Sequence, residues 1–193
     1  MATELDYRFG MTLLETISVP SITAAERAER LTAAGTSWGE RIAGDPSTAQ
    51  LTYRVHAAGD GSVASRITAG KHEFFVDEPA ALAGDDIAPS PVEYALGALV
   101  SCQVVVYRLY AQALGIEFDE IDIAIEGDLD ARRLFGLDDD VRAGFSDVRL
   151  AITITGPESE ERYQELRQVV DARCPVLDLF SNPTPVSVSV RKG

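Results

Sequence analysis

Apolar positions fall at helical intervals from Ile22 to Ala43, and Thr23 with Glu26 three residues later forms a capping box at the start of that run. Gly44 and the punctuation "GDPS" end it. Beyond "DPSTAQ" the period changes to two. "LTYRVHA", "SVASRITA" and "HEFFVDE" read as three strands, the first two flanking Asp60-Gly61, a strong hairpin signal. This predicts an antiparallel meander. A Gly- and Pro-rich loop, "PAALAGDDIAPS", then leads to a long apolar helix. Ser90 is its N-cap, Pro91 fills N1 where no N–H is needed, and Glu93 at N3 reaches back to the cap. Gly115 stops it after about Leu114.

Apolar side chains surround almost the whole circumference of this helix as far as Val106, so it must be enclosed on all sides. One small sheet cannot do that, which points to a homodimer whose subunits wrap one another. Downstream, "EIDIAIEGDLDA" and "DVRLAITITG" alternate as a second strand pair, joined by the charged connection "RRLFGLDDDVRAGF". Asp138, Asp139 and Asp140 lie in that connection without the spaced ligand ladder and glycine turn of a calcium loop. Residues 158–173 form an amphipathic helix ended by Cys174-Pro175, and "PVSVSVRK" reads as a final strand. The division expected is a helical extension over 1–48 and a folded α+β domain over 49–193.

Charge narrows the partners. With 31 acidic against 17 basic residues and a net charge of −14, the chain lacks the clustered cations that nucleic acid or an anionic membrane surface requires. The start, "MATELDYRFGMTLLET", carries acids where a signal peptide has a basic region. The run without charge from Tyr94 to Tyr107 is shorter than the roughly 18 to 20 apolar residues of a bilayer span. A cytoplasmic protein is therefore expected, and its two distant cysteines are not a standing structural disulfide.

Cys102 lies well inside the apolar helix and Cys174 at the end of the later one. Position alone activates neither. A mid-helix thiol gains little from the helix dipole, and a helix C-terminus disfavours an anion. Each cysteine can be a small buried hydrophobe, or the two can be a redox pair. A zinc site from Cys102, Cys174, His56 and His72 lacks the paired short spacings usual for that metal. A cysteine hydrolase with His56 or His72 as base is the remaining alternative. No phosphate-binding loop, dinucleotide fingerprint or nucleophile elbow occurs, so no cofactor is expected.

The stretches "DEPAALAGDDIAPSPVEYALGALVSC" and "VVDARCPVLD", set in this order of elements, resemble the OsmC/Ohr family of thiol-dependent hydroperoxide reductases over roughly residues 50–191. The resemblance implies an α+β, OsmC-like fold with antiparallel sheets wrapped around long central helices in an intertwined homodimer. It implies that Cys102 attacks an organic hydroperoxide and becomes a sulfenic acid, that Cys174 condenses with it, and that a dithiol donor, in one branch a lipoylated protein, reduces the disulfide. Family members hold the attacking thiolate with an arginine in the first hairpin turn or on the strand before the glycine loop. Here those places read "AAGDGS" and "HEFFVDE". The family's arginine-orienting glutamate corresponds to Val92, one residue before Glu93, which leaves Glu93 as a capping residue. Arg54, Arg66 and Arg108 are the substitutes considered. Arg108 points away on the same helix, so Arg66 is the candidate thiolate support. The missing pair also fits a second reading, an OsmC-fold protein that binds a small hydrophobic ligand in its dimer pocket.

Overall fold

The computed structural model describes residues 19–193. The N-terminal sequence read for a signal peptide, and residues 1–18 of the expected extension, lie outside the described residues. The first helix, α1 (Ala24–Gly44), opens on Thr23 with both arms of the capping box formed. It buries none of its side chains fully and rests on the long helix, where Gln112 Nε2 donates to Thr32 Oγ1 at 3.1 Å.

Three strands follow, β1 (Val55–Asp60), β2 (Ala64–Ala69) and β3 (His72–Val76), paired antiparallel in chain order. The hairpin turn sits two residues later than the Asp60-Gly61 signal suggests. Asp60 still pairs with Ala64, and Gly61 takes the positive φ of 55° inside the turn. The polar loop after β3 folds around a buried carboxylate. Asp77 accepts N–H bonds from Asp85 at 3.0 Å and Ile87 at 3.3 Å, and the Glu78 backbone N–H above all, with these donors, holds its carboxyl below the ordinary carboxylate range against the opposing effect of burial. Its own N–H donates to Pro89 O. The loop thereby delivers Ser90 to the start of the next helix.

That helix, α2 (Pro91–Leu114), begins as expected. The Ser90 N–H and Oγ both donate to Glu93 Oε2, at 2.8 and 2.6 Å, and the Glu93 N–H donates back to Ser90 Oγ. Gly115 ends it in the left-handed region, with φ 63°. Strands β4 (Glu120–Leu129) and β5 (Phe145–Thr155) form a second antiparallel pair. Ile121, Ile125, Val148, Leu150, Ile152 and Ile154 turn to one face of that pair. They pack against the core of Leu99, Val106, Tyr107 and Ala111 from α2 and Leu166 and Val170 from α3 (Glu160–Asp171).

Enclosure of α2 within one chain is one-sided. Val92, Val105, Leu109 and Leu114 stay open, and the β1–β3 meander meets the rest of the chain chiefly where Tyr94 Oη donates to Phe75 O at 2.8 Å and its ring lies beside Phe74.

Two expectations fail. "PVSVSVRK" forms no strand, because it lies beside no partner strand among the described residues, and Val186, Val188 and Val190 are left exposed. Cys174-Pro175 is also not simply the end of a helix, since a further short helix, α4 (Pro175–Ser181), starts there.

Candidate functional site

Cys174 is the N-cap of α4, with Pro175 at N1. This repeats the Ser90-Pro91 signature, a small polar side chain followed by the residue that needs no N–H. The assignment to a helix C-terminus is thereby corrected: the Cys174 sulfur faces backbone donors, and Leu177 N–H reaches it at 3.4 Å. Cys174 is buried at 2% exposure.

The same first turn serves the other thiol. Cys102 packs against the core that contains Cys174, and the Val176 N–H and the Cys174 thiol are the groups that act on its sulfur. Two residues 72 positions apart are thus brought together at one end of α4 by the packing of α4 against α2. Burial is the main influence on Cys102 and pushes its thiol up; the Val176 N–H opposes this, and the hydrogen bond and charge of Cys174 push it further up. No arginine is among the groups acting on it. Cys102 is held mainly as the neutral thiol near pH 7.

Clefts open on two sides of α4. One of about 410 Å³ is lined by Leu99, Phe145, Leu150, Leu177 and Phe180, with Arg142 at its edge. Phe145 and Phe180 stack there with centroids 6.3 Å apart. The other, about 330 Å³, reaches Cys174, Arg173 and Asp178. Arg142, exposed at this cleft, was not singled out in the sequence, since nothing in a charged connection marks which of its arginines lies beside a cleft.

The other predicted residues lie elsewhere within the chain. Arg66, on β2, donates to Glu73 Oε1 at 2.9 Å, sits 3.5 Å from Asp60 Oδ2 and covers the Phe75 ring at 4.8 Å. Glu93 is fully used by the Ser90 cap, and Val92 is half-exposed. His56 and His72 are exposed on the meander. Among the described residues, no group of three or more His, Cys, Asp or Glu side chains is arranged to hold a metal ion.

The family described as "OsmC-like protein" matches residues 84–189, more than half of the chain. The chain belongs to the OsmC-like family. An OsmC-like protein from Mycoplasma pneumoniae has a similar structure, with 20% identity and a TM-score of 0.60, covering 68% of this chain and 89% of that one. An organic hydroperoxide resistance protein OsmC from Legionella pneumophila is 21% identical with a TM-score of 0.53, covering 67% and 89%. One from Elizabethkingia anophelis is 20% identical with the same score, covering 67% and 88%. These likenesses establish the mixed α+β fold with its antiparallel sheets and helices. No curated protein matches the chain.

Proposed function

We propose that this OsmC-like protein is a thiol-dependent peroxidase for organic hydroperoxides, with Cys102 as the attacking and Cys174 as the resolving thiol. The observation that carries this reading is that Cys102 packs against the core holding Cys174 and has that thiol among the groups acting on it, at the start of α4. The Cys102 thiolate attacks the terminal peroxide oxygen, the O–O bond breaks, and the alkoxide leaves as the alcohol after taking a proton. Cys102 becomes the sulfenic acid. The Cys174 sulfur then attacks the Cys102 sulfur, hydroxide leaves as water with a proton, and the disulfide remains. A dithiol, of the lipoyl kind or similar, returns both thiols by exchange and is itself oxidised. The setting is cytoplasmic, where such reductants keep thiols reduced.

The working unit is a homodimer built from the 49–193 domain, with 1–48 as an added extension. The half-open apolar helix, the free-standing meander and the exposed alternating tail all favour it. Arg66, tied to Glu73 and Asp60 in its own chain, would support the thiolate only across the subunit boundary.

A second reading is favoured by one specific observation. Burial raises the Cys102 thiol and no cation among the described residues opposes it, which suits a protein that holds a hydrophobic ligand beside two quiet cysteines. Mass spectrometry after titration with cumene hydroperoxide separates the two. Loss of two hydrogens per chain in the wild type, with a trappable sulfenic acid at Cys102 in Cys174→Ser, is the peroxidase outcome. Two thiols that stay reduced at modest peroxide excess sink it and leave the ligand-binding reading.

A further inference from the structure

Of the fourteen arginines among the described residues, five form ion pairs. Arg66, Arg132, Arg149, Arg162 and Arg167 each hold a carboxylate. Arg27 of α1 and Arg108 of α2 do not. Among the described residues neither has a carboxylate partner, and the Nε of each is buried with no hydrogen bond. The two guanidiniums are close enough that the charge of Arg27 adds to burial in making Arg108 a weaker base. Two like charges side by side, each with a buried Nε that lacks a partner, are unfavourable unless something anionic joins them. They share the wall of a cleft of about 440 Å³, whose apolar lining includes Leu31, Ile116 and Phe118 and whose polar lining includes Glu117 and Asp119. The same two arginines also line an adjoining cleft that holds Asp119, Glu120 and Asp122.

We infer that the cleft between α1 and α2 is a binding site for a small amphipathic oxyanion. Its carboxylate or phosphate head bridges Arg27 and Arg108, and its short apolar body rests on Leu31, Ile116 and Phe118. Planar guanidiniums recognise both head groups in paired fashion. Glu117 and Asp119 repel a ligand that is anionic at both ends, so the far end is uncharged. The site exists only because α1 lies on α2: Arg27 and Leu31 fall before residue 84, where the family match begins. It is separate from the thiol pair. Arg108 is six residues beyond Cys102, about 9 Å along the helix and about 120° away in rotation.

Calorimetric titration of the full chain at constant ionic strength, using hexanoate, hexyl phosphate, inorganic phosphate and 1-hexanol, tests this. At least one of the two amphiphilic anions binds with a one-to-one endpoint and raises the melting temperature. Inorganic phosphate binds at least tenfold more weakly, and hexanol does not bind. Arg27→Gln and Arg108→Gln each weaken the anion at least tenfold. Arg27 is on the outer helix, so its variant keeps the core intact should Arg108→Gln fold poorly. The tighter of hexanoate and hexyl phosphate identifies the head group as carboxylate or phosphate ester. No binding of either amphiphile at 10-millimolar order, equal binding by hexanol, or binding that survives in Arg27→Gln overturns the assignment. Oxidation of Cys102 by cumene hydroperoxide proceeds unchanged in both variants, so failure here and failure of the thiol chemistry are told apart.

Discussion

In the β4–β5 pair, Ile121, Ile125, Val148, Leu150, Ile152 and Ile154 lie against α2 and α3, and their neighbours face solvent. In the β1–β3 meander, β1 is exposed at every position, and Phe74, Phe75 and Ile67 are only partly covered. Both sheets are antiparallel and both arise from alternating sequence. The difference is that one has a helix layer from its own chain and the other does not. A three-stranded sheet needs an apolar face covered to be stable, and α2 needs a cover for Val105 and Leu109. The two unmet needs are complementary, which is why we assign the missing layer to a second copy.

The sharpest break of that comparison is a charge on the open face of α2. Val105→Asp with Leu109→Asp is expected to convert a dimer to a monomer in light scattering coupled to gel filtration. If the wild type itself is a monomer at micromolar concentration, the second-copy assignment fails. Next in size, Leu166→Ala on the covered side should lower unfolding free energy by about 2–5 kcal/mol, as for other fully buried leucines. Val55→Ala, exposed within one chain at 65%, should instead cost about 1 kcal/mol in the dimer, against a few tenths for a residue left in water. Equal small effects at Val55 in dimer and monomer would show that the meander stays uncovered.

Smaller still is the cap that joins the two regions. Ser90→Ala should cost about 1 kcal/mol by chemical denaturation, and an unchanged midpoint would show that the Asp77 loop alone sets the start of α2.

The smallest effect is a pH dependence. Burial raises the Cys102 thiol, so the native state keeps that proton longer than the unfolded chain. Its contribution to stability is full below the free-thiol value of about 8.5, and falls as pH rises from there through the raised native value. Cys102→Ala should flatten that alkaline decline in melting temperature. In Cys174→Ser, the oxidation rate of Cys102 should keep rising with pH above the free-thiol range. Saturation near neutral pH would reveal a cation from the second subunit, and Arg66→Gln would then move the profile upward.

Much of this was written in local chemistry. The Ser90-Pro91-Glu93 cap, the Gly115 stop and the Thr23-Glu26 box are interactions within four residues, and each forms as its sequence signature requires. The alternation of β4 and β5 likewise carried its buried face. Cys174-Pro175 had the same kind of signature as Ser90-Pro91, and it was a cysteine, a far weaker acceptor than serine, in the cap position that hid α4. The tail "PVSVSVRK" shows the converse limit, because alternation states a preference for a sheet face but supplies no partner strand.

The sequence by itself determined the order of the elements from α1 to α3, the caps of α1 and α2 and the family to which the chain belongs, because these depend on neighbours a few residues apart. Only the tertiary structure decided that Cys102 lies against the core that holds Cys174, that Arg66 is spent on Glu73 and Asp60, and that Arg27 and Arg108 stand together with their Nε atoms unpartnered among the described residues. Those juxtapositions join residues far apart in the chain. Burial and charge at such points are set by what the folded layers bring alongside, which no local pattern encodes.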